Sequence, residues 1–343
     1  SRYNAAMNAT KTELPGYLQI EPVGQCNLRC QMCPIQFRKD GPPYGPPAFM
    51  PMEEFVRIVD QFPGLGHLHL QGLGEPMMHP RFFDMVTHAA SKGIRVTSNS
   101  NLTLLNARRA ERCVTCGLDC LHVSIDGATA ETYERIRVRS RFERVKRNLD
   151  LLLEARGRLA TGSPRLHLVL VIMRQNLDEL PEIVRLAHGW SMEQVFVQHL
   201  CHDFAESTLP AEYLPMRSFV EAETLLNEDL GRIEQYFAEA RQVAEELGVD
   251  LRLPRARPRA HAPGTPGPER CDWPWRGAYI SYQGLAMPCC MVATPDRINF
   301  GSVHEAGVEP VWNSPAYHTF RDRLASEDPP EVCRSCSVYR GTF

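Results

Sequence analysis

The sequence has no apolar run approaching the ~20 residues that a membrane-spanning helix requires, so no membrane span is expected. It has no surplus of charge either. Its 38 basic and 41 acidic residues leave a net charge of -3, so there is no polycationic face for sequence-blind binding of a phosphate backbone, and no nucleic-acid partner is expected. The opening "SRYNAAMNATKTELPGY" lacks the apolar centre of a signal peptide. The expected setting is therefore cytoplasmic, where a disulfide scaffold is disfavoured. What the 343-residue chain has in quantity is cysteine, with twelve in all, and metal binding is the better account of most of them.

Short apolar runs alternate with helical patterns. "YLQIE" (17–21), "HLHLQ" (67–71), "IRVTS" (94–98), "LHVSI" (121–125), "LHLVLVIM" (166–173) and "QVFVQHL" (194–200) read as six strands. The intervening segments are long enough for helical crossovers, so the pattern predicts an α/β fold of right-handed βαβ units around a parallel sheet. Periodicity alone leaves a six-stranded partial barrel and an open doubly wound sheet as alternatives. In both, sites gather at the carboxyl ends of the strands, where the unusual polar motifs of this sequence lie. A helical stretch at about 213–248 and a possible strand in "VDLRLP" follow. "RARPRAHAPGTPGPER" (255–270) reads as a linker, and residues 271–343 as a small region of low helix propensity that a metal would have to staple. The expected division is thus an extension over 1–16, a main domain over 17–254, the linker, and a C-terminal domain.

"CNLRCQMC" places Cys26, Cys30 and Cys33 in one loop after the first strand, with gaps of three and two residues. Three thiolates can hold three irons of an iron–sulfur cube and leave the fourth open to an exchangeable ligand. The bland alternative is a structural zinc loop with a remote fourth ligand. A second set, Cys271, Cys289, Cys333 and Cys336, offers four thiolates for either zinc or a closed cluster, with Cys290 competing with Cys289. "YISYQGLAMP" reads as two short strands around a turn at Gly284.

The first motif resembles the signature of the radical S-adenosylmethionine superfamily. The resemblance implies a partial (β/α)6 barrel similar to a TIM barrel, a [4Fe-4S] cluster on Cys26, Cys30 and Cys33, and S-adenosylmethionine on the open iron. Reductive cleavage there yields a 5'-deoxyadenosyl radical that abstracts hydrogen from substrate, with a flavodoxin- or ferredoxin-type protein as electron donor. Met32 stands where the family packs a large residue beside the adenine. "LGEP" (73–76) resembles the family's Gly-Gly-Glu-Pro, with Leu73 in place of the first glycine, and puts Gly74, Glu75 and Pro76 at the cofactor's amino group. "TSNSNL" (97–102) and "VSIDG" (123–127) look like the segments lining the ribose and methionine, which nominates Ser98, Asn99, Ser124 and Asp126. Arg137 resembles an arginine that meets the cofactor carboxylate, although a helix residue facing solvent fits the sequence nearly as well.

The C-terminal region resembles the auxiliary-cluster domains of this superfamily in their shortened, single-cluster SPASM/twitch form, because no cysteine follows Cys336. The resemblance implies a second [4Fe-4S] cluster on Cys271, Cys289, Cys333 and Cys336, used for electron transfer.

Cys113, Cys116 and Cys120 are expected to be structural, lying on the amino side of the barrel. Cys201 and His202 follow the sixth strand and are nominated as catalytic, the thiol as a hydrogen donor and His202 or His199 as a proton carrier. Dehydrogenation of an alcohol carbon in a small molecule, such as an aminocyclitol or sugar, is the leading expectation. Epimerisation, or modification of a ribosomally made peptide, is the alternative. Only 16 residues precede the first strand, which leaves no room for a fused peptide-recognition domain and favours the small molecule.

Overall fold

Along each main strand, every second side chain packs against helices while its neighbours face the other way, so "HLHL" and "LHLVLV" already carry the two faces of the sheet. The computed structural model describes residues 11–39, 45–262 and 264–343. Its strands are β1 (Tyr17–Ile20), β2 (His67–Leu70), β3 (Arg95–Ser100), β4 (Leu118–Ser124), β5 (Arg165–Val171), β6 (Gln194–Gln198), β7 (Asp250–Arg252), β8 (Gly277–Ile280) and β9 (Ala286–Met287). They form one sheet in the order β7-β6-β5-β4-β3-β2-β1-β8-β9. All neighbours run parallel except β8 and β9.

The helices that cross between the first strands are α1 (Met52–Asp60), α2 (Phe82–Ser91), α3 (Ala107–Thr115), α4 (Ala130–Ile136), α5 (Phe142–Arg158) and α6 (Leu180–Gly189). They cover the face carrying Leu18, Leu68, Leu70, Leu121, Val123, Leu168 and Val197, all fully buried. Burying each such side chain contributes about 1.5–3 kcal/mol against leaving it in water. The expected helical stretch beyond β6 divides into α7 (Leu214–Glu223) and α8 (Leu230–Leu247). The break has a local cause: Thr224 accepts a hydrogen bond from the Leu226 N–H, and Asp229 caps α8 by accepting from the Arg232 N–H.

The six expected strands and the barrel-like α/β architecture are present, and "VDLRLP" supplies β7 beside β6. One expectation requires correction. The C-terminal region is richer in helix than its composition suggests. Ser314 caps the helix Pro315–Ala325 by accepting from the Tyr317 N–H, and Tyr317, Phe320 and Leu324 bury one face of it. That face was readable in the spacing 317, 320, 324. The segment 255–270 is tied to its neighbours by hydrogen bonds. Arg257 donates to the Glu228 carbonyl at 2.6 Å, and the Arg259 N–H donates to the Arg340 carbonyl at 2.8 Å. Most of the expected N-terminal extension lies outside the described residues; near its end, Trp312 donates to the Glu13 carbonyl.

The hairpin turn at Gly284 is present, with φ at +78° and no room for a Cβ, which would lie 2.2 Å from the His304 ring. The hairpin does more than carry cysteines. Strand β8 pairs with β1 from Tyr17↔Gly277 to Ile20↔Ile280, which covers an otherwise open edge of the sheet.

Just beyond β1, Glu21 and Arg38 form an ion pair withdrawn from water, with Arg38 Nη1 at 2.7 and 2.8 Å from the two carboxylate oxygens. The same carboxylate accepts from the Leu73 N–H at 3.2 Å and the Tyr282 N–H at 3.4 Å. It therefore joins the cysteine loop, the turn after β2 and the hairpin. Removing one partner leaves an uncompensated buried charge, at a cost of about 3–5 kcal/mol. Arg38→Met is expected to lower the melting temperature of the anaerobic holoprotein by several degrees, and the double variant Glu21→Gln/Arg38→Met to recover most of the loss. Equal melting of the single and double variants would show that the pair does not act as a unit.

Candidate active site and cluster-binding pockets

At the carboxyl ends of the strands lies a cavity of about 250 Å³. The cysteine loop forms one wall. Its backbone is stitched to the exit of α4, where the Arg29 N–H donates to the Val138 carbonyl and the Gln31 N–H to the Ile136 carbonyl. The turn after β2 closes against it. The Glu75 N–H donates to the Gln25 carbonyl at 2.9 Å, and a Cβ on Gly74 would lie 2.0 Å from the Val23 carbonyl oxygen. Gly74 is therefore compelled by contact, whereas Leu73, the departure from the double glycine, turns its side chain to the cavity lining.

Cys26, Cys30 and Cys33 all reach this cavity, and none is in a disulfide. Their sulfurs are met by donors: the Leu28 N–H at 3.4 Å and Asn101 Nδ2 at 3.7 Å on Cys26, and Arg137 Nη1 at 3.9 Å on Cys30. Burial, then neighbouring Cys30, pushes the Cys33 thiol up to about 12, and Cys26 is raised for the same reasons. Thiols packed this closely ionise only together with a cation, and N–H donors directed at sulfur are the outer shell of an iron–sulfur site. The donor set fits a cube held by three of its corners.

Met32, Gly74, Glu75, Pro76, Asn99, Ser124, Asp126 and Arg137 line the same cavity. Ser98 does not, which corrects the expectation for that residue: it donates to the Leu70 carbonyl at 2.7 Å and is fully buried. The reason is strand alternation, because Asn99 faces inward and its neighbour must face the helices. Ser100, the last residue of β3, and Asn101 also reach the cavity, where the strand ends.

Two carboxylates have internal work. Glu75 accepts from Ser100 Oγ, the Asn101 N–H and the Met77 N–H, which leaves little acceptor capacity for a ligand. Asp126 accepts from Arg137 Nε at 2.6 Å and from the Val171 N–H at 2.8 Å. Burial raises the pKa of both acids, and the hydrogen bonds oppose it. Arg137 is buried in this pair rather than facing solvent. Asn99 and Ser124 make no side-chain hydrogen bond among the described residues and so retain donors and acceptors for a nucleoside.

The opposite wall comes from the segment after β6 and from the C-terminal region. Leu200, Phe204, Met216, Val220, Met291 and Ala293 are its apolar members. Glu206 and Arg297, buried and 2.6 Å apart, hold this segment in place, and the Ser337 N–H donates to the Cys201 carbonyl at 3.0 Å. Cys201 and His202 both line the cavity, as expected. Burial, then Cys336, pushes the Cys201 thiol up to about 12, so it carries its proton. Burial, then the Arg297 charge, lowers the His202 pKa to about 3, with the Met291 and Val332 backbone opposing the shift. His199 Nε2–H donates to the Arg255 carbonyl at 2.7 Å, and the residue reaches the cavity together with Gln198 because regular pairing stops at Gln198.

Behind His202 is a second, small pocket lined by Cys271, Cys289, Cys333 and Cys336. His202 borders both spaces. Cys290 lines the main cavity and not this pocket, which separates it from its neighbour Cys289. The four thiols again raise one another: Cys289 is lifted first by burial and then by Cys290, Cys336, Cys271 and Cys333. The donor set fits a fully ligated metal centre.

Cys113 and Cys116 belong to the hydrophobic core, as expected of structural thiols. The apolar wall of Phe204, Met216 and Val220 was not anticipated. The only sequence signal for it was apolar content in a segment outside the strand–helix repeat.

Comparison with known proteins agrees with this architecture. Residues 20–187 match the family model of the Radical SAM superfamily, and residues 271–337 match an iron–sulfur cluster-binding domain, SPASM. A tungsten-containing aldehyde ferredoxin oxidoreductase cofactor-modifying protein of Pyrococcus furiosus is 25% identical, over 94% of this chain and 87% of its own. A PqqA peptide cyclase of Granulibacter bethesdensis is 26% identical, over 94% of this chain and 80% of its own. The crystal structure of Streptococcus suis SuiB bound to precursor peptide SuiA superposes with a TM-score of 0.67 at 16% identity, covering 96% of this chain and 71% of that one. No helix among the described residues is long and apolar enough to cross a membrane. The chain belongs to the radical S-adenosylmethionine superfamily, with a C-terminal SPASM/twitch auxiliary domain, and is an oxidoreductase that generates a 5'-deoxyadenosyl radical to act on a small molecule or a peptide.

Proposed function

We propose that the protein modifies a ribosomally made peptide, oxidising an apolar or aromatic side chain so that it forms a crosslink. The observation that carries this reading is the apolar wall of Leu200, Phe204, Met216, Val220, Met291 and Ala293 on the substrate side of the cavity. A polyhydroxylated aminocyclitol pressed against it would lose water without gaining hydrogen bonds, whereas a peptide side chain would gain from burial. The space also suits a substrate that inserts one group: about 250 Å³ must hold a nucleoside as well, and whole drug-sized ligands occupy roughly 300–1,000 Å³. Similarity to a peptide cyclase along most of the chain supports the same substrate class. Dehydrogenation of an aminocyclitol has less support.

S-adenosylmethionine bound beside the three-cysteine cluster supplies the hydrogen-abstracting radical. On this reading Met32, Gly74, Pro76, Asn99 and Ser124 hold the cofactor. Glu75, Asp126 and Arg137 fix the shape of its pocket, with Arg137 also directed at Cys30. The apolar wall seats the substrate and excludes water. Crosslinking removes two hydrogens from the peptide. One leaves as a hydrogen atom; the other leaves as a proton and an electron, and His202, which lines the cavity and is kept neutral by burial, is too weak a base to keep that proton and would only pass it on. Cys271, Cys289, Cys333 and Cys336, in the pocket behind His202, would hold a second [4Fe-4S] cluster, which would supply an acceptor for this electron. A small redox protein would reduce the first cluster.

The ligand assignment is tested by iron content after anaerobic reconstitution. The expected value is about eight irons per chain, falling to about four in Cys289→Ala and staying near eight in Cys290→Ala, as two cubes with these ligands require. Loss of iron in the Cys290 variant instead would exchange the roles of the two cysteines. Four irons in the unsubstituted protein would remove the second cluster.

The chemistry is tested with synthetic peptides from neighbouring genes, in ordinary and deuterated water. A product lighter by two hydrogens, formed in step with 5'-deoxyadenosine, is expected, with Cys201→Ala retaining most of the activity. Unchanged mass in ordinary water with one deuterium gained in heavy water, together with loss of turnover in Cys201→Ala, would mean epimerisation through the Cys201 thiol. Turnover of an aminocyclitol with every peptide inert would overturn the substrate class.

A further inference from the structure

The lumen of the barrel below the cavity holds histidines on alternate strand positions: His67 and His69 on β2, His122 on β4 and His167 on β5. They divide into two groups. His67 and His69 are satisfied internally, because Thr97 Oγ1 lies 2.8 Å from His67 Nε2 and 2.7 Å from His69 Nδ1. His122 and His167 are arranged differently. They are cross-strand partners in register, and Cys120 precedes His122 by two residues on the same face of β4. One ligand atom from each of the three lies within 4.8 Å of the others.

The details favour a ligand set over ordinary packing. His122 Nδ1 is 3.3 Å from the Ser98 carbonyl, so it carries the proton, and the Nε2 lone pair points at Cys120 Sγ, 3.9 Å away. Metal-bound histidines are oriented in this way, with the distal ring N–H given to a backbone carbonyl. His167 Nδ1 is buried with no partner. Cys120 is free and almost fully buried, while His122 and His167 are partly exposed, which leaves a route from the lumen. Tetrahedral zinc with bonds of 2.0–2.3 Å puts its ligand atoms about 3.5 Å apart, which small side-chain rotations here would reach. The nearby Arg165 charge is balanced by Asp119 at 2.8 Å.

We propose that Cys120, His122 and His167 bind a zinc-type divalent cation through one thiolate and two imidazoles, with a fourth position open to lumen water. The ion staples β4 to β5 at the base of a sheet whose end strands do not close on each other. None of the three residues lines the cavity or the four-cysteine pocket, so this site is separate from both proposed clusters.

The test uses the reconstituted, cluster-loaded protein, incubated anaerobically with zinc and freed of excess. Zinc and iron are counted together, and the zinc X-ray absorption edge is recorded. The expected result is one tightly held zinc per chain whose first shell contains one sulfur and two imidazole nitrogens. Cys120→Ala and His167→Ala should each weaken zinc at least about tenfold while leaving iron content and S-adenosylmethionine cleavage in place. Those two readouts also show whether a variant has folded. Should either variant fail to fold, the first shell of the unsubstituted protein decides alone. Failure to retain zinc, zinc held equally by both variants, or a four-sulfur shell would overturn the proposal; the last would put zinc among Cys271, Cys289, Cys333 and Cys336 instead.

Discussion

A carboxylate and a guanidinium with no access to water must each find all of their partners within the protein, and at the mouth of this barrel that requirement organises everything around it. Glu21 follows β1, Arg38 ends the cysteine loop, Leu73 begins the turn that meets the cofactor space, and Tyr282 tops the auxiliary hairpin. Three segments are thereby held to one acid. Tyr279 on β8 lies against the same pair, and burial, then the Glu21 charge, keeps its phenol protonated. The pair adds little net stability over an apolar replacement. What it supplies is position: the three cysteines and the hairpin that leads to Cys289 are indexed to a common point.

The sheet and the cysteine loop were legible because each is a local pattern. Strands of alternating burial, crossovers of sufficient length and the gaps of three and two between cysteines all lie within short windows. What failed was of two kinds. Ser98 was placed beside Asn99 in the cofactor site although a strand cannot present both to one face, so an available rule was overridden by the look of the motif. The internal partners of Glu75 and Asp126 were beyond reach for a different reason. They come from Ser100, Asn101, Arg137 and Val171, and only the folded chain brings those groups to the carboxylates. The distinction between Cys289 and Cys290 was partly legible, because the spacing from Gly284 favours Cys289. It becomes complete only as two side chains entering two different spaces.

A parallel sheet covered on both faces normally reads as continuous apolar runs. Here only the helix-facing side does. The inward side carries Thr97, Asn99, Cys120, His122, Ser124, His167 and Gln198, polar from base to mouth. An open barrel can carry this because its lumen is a place for ligands rather than a packed core. The mouth end supplies amides and hydroxyls suited to a nucleoside, and the base supplies imidazoles and a thiol suited to a soft cation. The alternation of histidine with leucine in "HLHL" and "LHL" was present in the sequence, and its meaning depends on knowing that the inward face stays unfilled.

Whether an abstracted hydrogen is replaced or the substrate loses an electron depends on the wall containing Cys201 and His202. These two residues are not independent of the auxiliary pocket. The Cys201 carbonyl is held by the Ser337 N–H, next to Cys336, and His202 borders the four thiols directly. Thiol, imidazole and pocket are therefore tied to one another, and on the proposed reading the outcome depends on how Phe204, Met216 and Val220 place the substrate carbon. Met216 and Val220 project from α7, which is held by Tyr213: its ring stacks with Phe204 and its hydroxyl donates to Asp296 at 2.9 Å. On the proposed reading, substrate choice is physically separable from radical generation, because α7 lies outside the repeating strand–helix units that carry the three-cysteine loop and the cofactor space.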